Sequence, residues 1–189
     1  MNLRQKNIIL TLVAVAFTDL SADSYAGLDV FGSINTVKGG ITSELREKNS
    51  GVSLKYGFGR DGAQKYQVRG TYVHYNEPLF DEKNRGLYEL GFDFIQEFDA
   101  QHDVSPYVKV GLGLGSMPIA NVSISKIYAL ALNAGFGISF RLPDDFNLVT
   151  GFEYVGRKWQ DVTYTTVKEN SLSTLSYGLG LYVGANYGF

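Results

Sequence analysis

From Leu175 onward the chain alternates without a break. Leu175, Tyr177, Leu179, Leu181, Val183, Ala185, Tyr187 and Phe189 fall on one side, and Ser176, Gly178, Gly180, Tyr182, Gly184, Asn186 and Gly188 on the other. Successive side chains of a strand point to opposite faces, so a period of two marks β-structure. The run from Tyr128 does the same, with Leu130, Leu132, Ala134, Phe136, Ile138 and Phe140 opposing small or polar residues. Runs of this kind predict eight strands, near 27–36, 50–59, 64–75, 86–98, 104–115, 127–142, 146–158 and 173–189. The first is the least regular, because Leu28, Val30 and Ile34 alternate while Phe31 falls on the opposite face.

The connectors sort by length. RDGA after Gly59, DAQHD around Ala100 and PDD after Leu142 are short, whereas roughly 37–49, 76–85, 116–126 and 159–172 are longer. Short and long alternate, so antiparallel neighbours collect every tight turn at one end and every long loop at the other. Membrane barrels show that asymmetry. The runs, 10 to 17 residues long, also exceed the five or six usual in soluble sheets. A tilted membrane strand needs about 9–11. In lipid, only closure satisfies the backbone groups of a sheet. The expected fold is therefore all-β, an eight-stranded antiparallel up-and-down transmembrane β-barrel over residues 27–189, with both termini at the tight-turn end.

Side-chain size assigns the faces. Eight strands leave an interior just wide enough for side chains, which suits the glycine, alanine and serine face. The Leu, Phe, Tyr and Val face suits lipid. A soluble ligand-binding barrel would show the reverse. Bulky-face aromatics fall at strand ends, Tyr88 and Phe98, Tyr128 and Phe140, Tyr177 and Phe189, where interfacial girdles belong.

Composition narrows the chemistry. There are 22 glycines, 13 tyrosines, 12 phenylalanines and no cysteine, with a formal net charge of −2. That balance implies no nucleic-acid partner, and without cysteine there is no thiolate nucleophile, thiolate metal site or disulfide framework. His74 and His102 are the sole histidines, so no multi-histidine metal centre and no cofactor are expected. Residues 1–26 read as a secretory signal peptide: Arg4 and Lys6 precede the apolar run IILTLVAVAF, and Ser24 and Ala26 stand at −3 and −1 of a cut before Gly27.

Face assignment sends ten charges inward: Lys55, Arg69, Lys109, Arg141 and Arg157, with Asp29, Glu89, Asp93, Glu97 and Glu153. Charges confined to a narrow lumen must be paired and hydrogen-bonded, or desolvation costs several kcal/mol each. The expectation is a salt-bridged polar plug; a narrow passive pore for small solutes or ions is the alternative, since barrels that leave aqueous channels have about 16–18 strands.

GFGRDG, Gly57 to Gly62, matches a dinucleotide fingerprint letter for letter. That fingerprint needs a following helix, and an alternating run follows instead, so the segment is read as a turn at a strand end. His74 is assigned to the lipid side or a loop, with no serine close in sequence, and His102 to a tight turn.

The signal peptide, the eight-strand pattern, PYVKVGLGLG at Pro106 to Gly115 and the terminal aromatic resemble the small outer-membrane barrels of Gram-negative bacteria, the OmpA-type, OmpX-type and opacity-type proteins. The resemblance covers the mature chain and is one of pattern. It implies Sec-type export to the outer membrane of a Gram-negative bacterium and contact with outer-membrane lipid and lipopolysaccharide. It also implies handling by periplasmic chaperones and the barrel-assembly machinery, and a monomer. Gly184, Tyr187 and Phe189 resemble the C-terminal signal that this machinery recognises. Some small barrels modify envelope lipid, but a deacylase-like His-x-Ser is missing from the final strands, and no enzymatic activity is expected. A structural or adhesion-like role is then left to the long loops, with a host or surface ligand as partner. SMPIANVSISK, from Ser116, is unusually apolar for an exposed loop and reads as a contact surface.

Overall fold

The computed structural model describes residues 24–39, 45–59, 63–80, 84–98, 103–119, 125–163, 171–172 and 174–189. Eight long strands form one closed barrel: β1 Ser24–Lys38, β2 Leu45–Gly59, β3 Gln64–Tyr75, β4 Gly86–Glu97, β5 Val104–Pro118, β6 Lys126–Arg141, β7 Phe146–Trp159 and β10 Leu175–Gly188. A two-residue pair, β8 Val162–Thr163 and β9 Ser171–Leu172, sits in the last long connector. Every neighbouring pair is antiparallel, and β1 closes on β10 through the register Tyr25↔Gly188 to Lys38↔Leu175. At the seam Ser24 N–H donates to Phe189 O at 3.3 Å and Phe189 N–H to Ser24 O at 2.8 Å.

The period of two becomes two surfaces. Leu54, Leu90, Leu114 and Leu132 stand outward, each at least 62% exposed, while their sequence neighbours fill the interior. Phe136 and Phe152 stack across β6 and β7 with centroids 5.4 Å apart on the outside. A water-exposed surface does not carry an apolar band of this extent; hydrocarbon matches it.

Three boundaries differ from the sequence expectation by three residues or more. β1 begins at Ser24, three residues before Gly27, and β2 begins at Leu45 rather than near 50. β5 continues to Pro118, so the connector after it shortens. In each case the partner strand supplies ladder bonds that local alternation does not reveal, as in Arg46 opposite Thr36 and Met117 opposite Ile127. The signal-peptide core and His102 lie outside the described residues, as do 120–124 of the apolar loop. The GFGRDG segment ends β2 at Gly59, whose φ of 146° is open to glycine and strained for other residues, and β3 begins at Gln64; residues 60–62 of the segment lie outside the described residues.

Candidate functional site in the barrel lumen

The interior is built in three layers. At the tight-turn end Lys55 Nζ donates to Asp29 Oδ1 at 2.6 Å, and Lys65 Nζ to Glu97 Oε1 at 2.9 Å. Tyr25 reaches in from the first turn of β1 and donates its hydroxyl to Gln67 Oε1 at 2.9 Å. Gly184 matters here because a Cβ on it would collide with Asp29 Oδ1 and Leu28 O. The absence of a side chain on β10 makes room for the ion pair.

The middle layer is a continuous polar chain. Lys109 Nζ lies 3.3 Å from Glu153 Oε1, which accepts from Asn133 Nδ2 at 2.7 Å; the same amide donates to Asp93 Oδ1 at 3.0 Å. Asp93 then meets Arg69 Nε at 3.1 Å, and Arg69 Nη1 stands 3.1 Å from Glu89 Oε1. Arg157 Nε completes the run with Glu89 Oε2 at 3.0 Å. In the strand order β3 and β7 lie on opposite walls, so the chain crosses the lumen from side to side. Beside it the Tyr107 and Tyr182 hydroxyls share a 2.5 Å hydrogen bond, with Lys109 Nζ 3.9 Å above the Tyr182 ring centroid. Two cavities of about 30 Å³ lie against this chain, each with room for a water molecule or two.

The third layer corrects the expectation of a small, polar interior. Toward the long-loop end Val73, Tyr75, Leu87, Met117, Ile119, Ile127, Ala129 and Trp159 form one buried cluster, and Leu79 and Phe80 of the connector after β3 pack against it. Met117 is fully buried and Ile119 is 8% exposed. The described part of the Ser116 segment is thus an inward apolar plug, and the reading of it as an exposed contact surface does not hold there. Trp159 Nε1–H donates to Ser176 Oγ at 2.9 Å, which satisfies the one polar atom of the indole. Phe31, the irregularity of the first strand, points inward and packs between this cluster and the tyrosines below.

No protein-family model matches the chain, and no curated protein matches it. Among solved structures it is similar to Neisserial surface protein A, with a TM-score of 0.54 at 18% identity over 87% of this chain and 97% of that one. The barrel has the small outer-membrane β-barrel fold. OprG from Pseudomonas aeruginosa superposes with a TM-score of 0.52 at 9% identity, over 89% of this chain and 96% of its own. The N-terminal β-barrel domain of Pseudomonas aeruginosa OprF gives 0.50 at 16% identity, over 88% and 99%.

In this barrel all ten charges assigned inward do point inward. Asp29, Lys55, Arg69, Glu89, Asp93, Glu97, Lys109 and Arg157 are buried, while Glu153 and Arg141 are partly so. Arg141 stands apart from the crossing chain and lines the tight-turn mouth with Lys65, Asn147 and Asn186, around a cavity of about 340 Å³. The sequence reading missed Lys65 and Glu47, both buried. Lys65 shares the parity of Arg69 on β3, and Glu47 that of Lys55 on a strand extended beyond its expected start. His74 is exposed on the outward face, and the register sets it opposite Ser50, a neighbour 24 positions away that sequence proximity could not show. Tyr187 and Phe189 are exposed outward near the seam, with the Tyr187 ring 4.9 Å from Phe146.

Proposed function

We propose that the protein is an integral barrel of a Gram-negative outer membrane, closed inside, with a structural or surface-interaction role carried by its loop end. The observation behind this reading is the interior itself. A charged chain spans the lumen from β3 to β7, and an apolar plug seals the level above it. An ion entering the plug would trade most of its hydration for apolar side chains, with the Tyr75 hydroxyl and the buried Asn49 and Glu47 beside it as its few polar neighbours. The outward apolar band supports the membrane location, and the likeness in fold supports the outer membrane. Lipopolysaccharide, periplasmic chaperones and the barrel-assembly machinery are the partners that go with this reading, and a host or surface ligand would meet the connectors at the loop end.

The experiment is planar-bilayer recording of the refolded protein, with an Arg69→Ala and Phe80→Ala double variant alongside. The native barrel is expected to show no steady conductance, and the double variant brief openings. Reproducible native openings that Arg69→Ala or Glu89→Ala abolishes would replace the closed-barrel reading with a pore.

A further inference from the structure

We propose that a phosphorylated, multiply acylated glycolipid docks on the outward face of β7, β10, β1 and β2, one acyl chain lying over Gly32 and its phosphates held by the bases above. The inference rests on the outer-membrane reading, which turns the long-loop end toward the outer leaflet.

The register places the parts. Lys158 stands opposite Leu175, which stands opposite Lys38. One outward row below, Tyr177 faces Thr36 and Thr36 faces Arg46; in the next, Leu179 faces Ile34 and Ile34 faces Lys48. Four bases thus occupy three successive outward rows, carried by β7, β1 and β2, with β10 between β7 and β1 contributing none. All four are exposed, and Lys38 Nζ lies 5.5 Å above the Tyr177 ring. Lys158 also has an exposed contact with Asp161 at 3.5 Å, a type of pair worth little in water.

Beneath the stripe is a groove of about 550 Å³, floored by Gly32 and walled by Ile34, Leu179, Leu181 and Phe152, with Lys48 on its rim. The missing side chain of Gly32 forms it: a Cβ there would meet a single atom, Asn49 O, at an unstrained 3.9 Å. A second outward groove, of about 520 Å³ over Gly70 between Leu54, Leu90 and Leu114, has no basic side chain in its wall. Of these two grooves, the first combines space for a hydrocarbon chain with cations at its upper edge. Lysine and arginine stems lie along apolar surface while their heads reach the interface, and there they make charge-assisted hydrogen bonds to phosphate oxygens.

The width of the stripe selects the glycolipid. From Lys158 on β7 to Arg46 on β2 is three strand spacings, roughly 14 Å. A phosphatidylglycerol brings one phosphate to such a surface, whereas a disaccharide phosphorylated at both ends brings two, set apart.

The test is native mass spectrometry of the purified barrel in zwitterionic micelles, titrated with bisphosphorylated lipid A and, separately, with phosphatidylglycerol. One lipid A is expected to bind, about tenfold tighter than phosphatidylglycerol. The Arg46→Glu, Lys48→Glu pair should weaken lipid A binding about tenfold or more, since each basic residue near an anionic surface contributes about 1 kcal/mol. Gly32→Leu should weaken it severalfold, and Gly70→Leu should leave it unchanged. Undiminished binding by the charge or Gly32 variants, equal loss in Gly70→Leu, or equal affinity for phosphatidylglycerol would each overturn the proposal. Heat-modifiable mobility is scored on every sample. A native protein without it sinks the membrane reading itself, and a charge variant without it is replaced by Arg46→Gln with Lys48→Gln, judged by the same outcomes.

Discussion

The ring of Phe80 meets the indole of Trp159 edge-on, with centroids 4.9 Å apart. One residue belongs to the connector after β3, the other to the last position of β7, so the contact ties a loop into the mouth of the barrel. Phe80→Ala should loosen that plug. Edge-to-face pairs contribute about 0.5–1.5 kcal/mol beyond the area they bury, and a total loss of about 1–3 kcal/mol is expected. Trp159 is the chain's single tryptophan, so its emission should shift to the red with a lowered urea midpoint. An unchanged spectrum would show that Phe80 does not cap the indole in solution.

The Asp29 and Lys55 pair is buried on both sides, its side chains 10% and 4% exposed. Lys55→Met leaves a carboxylate without its cation and should cost about 3–5 kcal/mol. Adding Asp29→Asn should restore most of that loss, because the desolvated charge disappears as well. Urea unfolding in lipid vesicles gives both values. Equal destabilisation in the single and double variants would show that the pair does not hold this layer.

Tyr25 lies ahead of a cut at Gly27, yet it is buried and donates to Gln67. Cleavage is therefore expected ahead of Ser24, whose backbone pairs with Phe189; a cut before Asp23 places the small residue Ala22 at −1. Sequencing the N-terminus of protein purified from membranes settles the position. A mature chain starting at Gly27 would refute this placement, and its lumen would lack the tyrosine.

Phe189 bonds to Ser24 through its backbone, while its ring is 67% exposed and lies 6.2 Å from Tyr56. Phe189→Ala keeps the backbone seam and removes the ring. If the ring serves as an assembly signal, the variant should refold normally in detergent yet reach the membrane several times less in cells. Equal membrane levels would assign the C-terminal aromatic to packing alone.

The turn between β6 and β7 holds Asp144 and Asp145, both at a φ of 61°. L-residues other than glycine pay about 1–2 kcal/mol in that left-handed region. Asp145→Gly should therefore raise stability by about 0.5–1 kcal/mol; its backbone bond from Gly188 N–H, 2.9 Å long, remains possible. A lowered unfolding midpoint would mean that the Asp145 side chain itself stabilises the turn.

The barrel was legible because a strand exposed to lipid on one side writes its two faces in strict alternation. Leu175 to Phe189 shows this, and so does the inward parity of Arg69, Glu89 and Asp93. Parity fails where strand ends depend on partners. Glu47 and Tyr25 were lost from the interior because their stretches of β2 and β1 were read as loop and leader, and only pairing with the neighbouring strand makes them β. Size also misled at one level: Leu87, Met117 and Trp159 follow inward parity but are bulky and apolar, so a rule that large residues face lipid misplaces what they do.

Alternation, connector length and face composition are local properties, and they sufficed to determine the number of barrel strands, the topology, the lipid-facing surface and most of the inward charges. Which charges meet, and what seals the mouth, depends on residues far apart in the chain. Arg157 reaches Glu89 across 68 positions, and Phe80 reaches Trp159 from a connector with no period of its own. Those contacts follow from barrel closure and from how far β5 and β6 run on together at the loop end. Both are set by strand pairing and side-chain volume in a confined lumen, and neither leaves a mark in the spacing of hydrophobic positions.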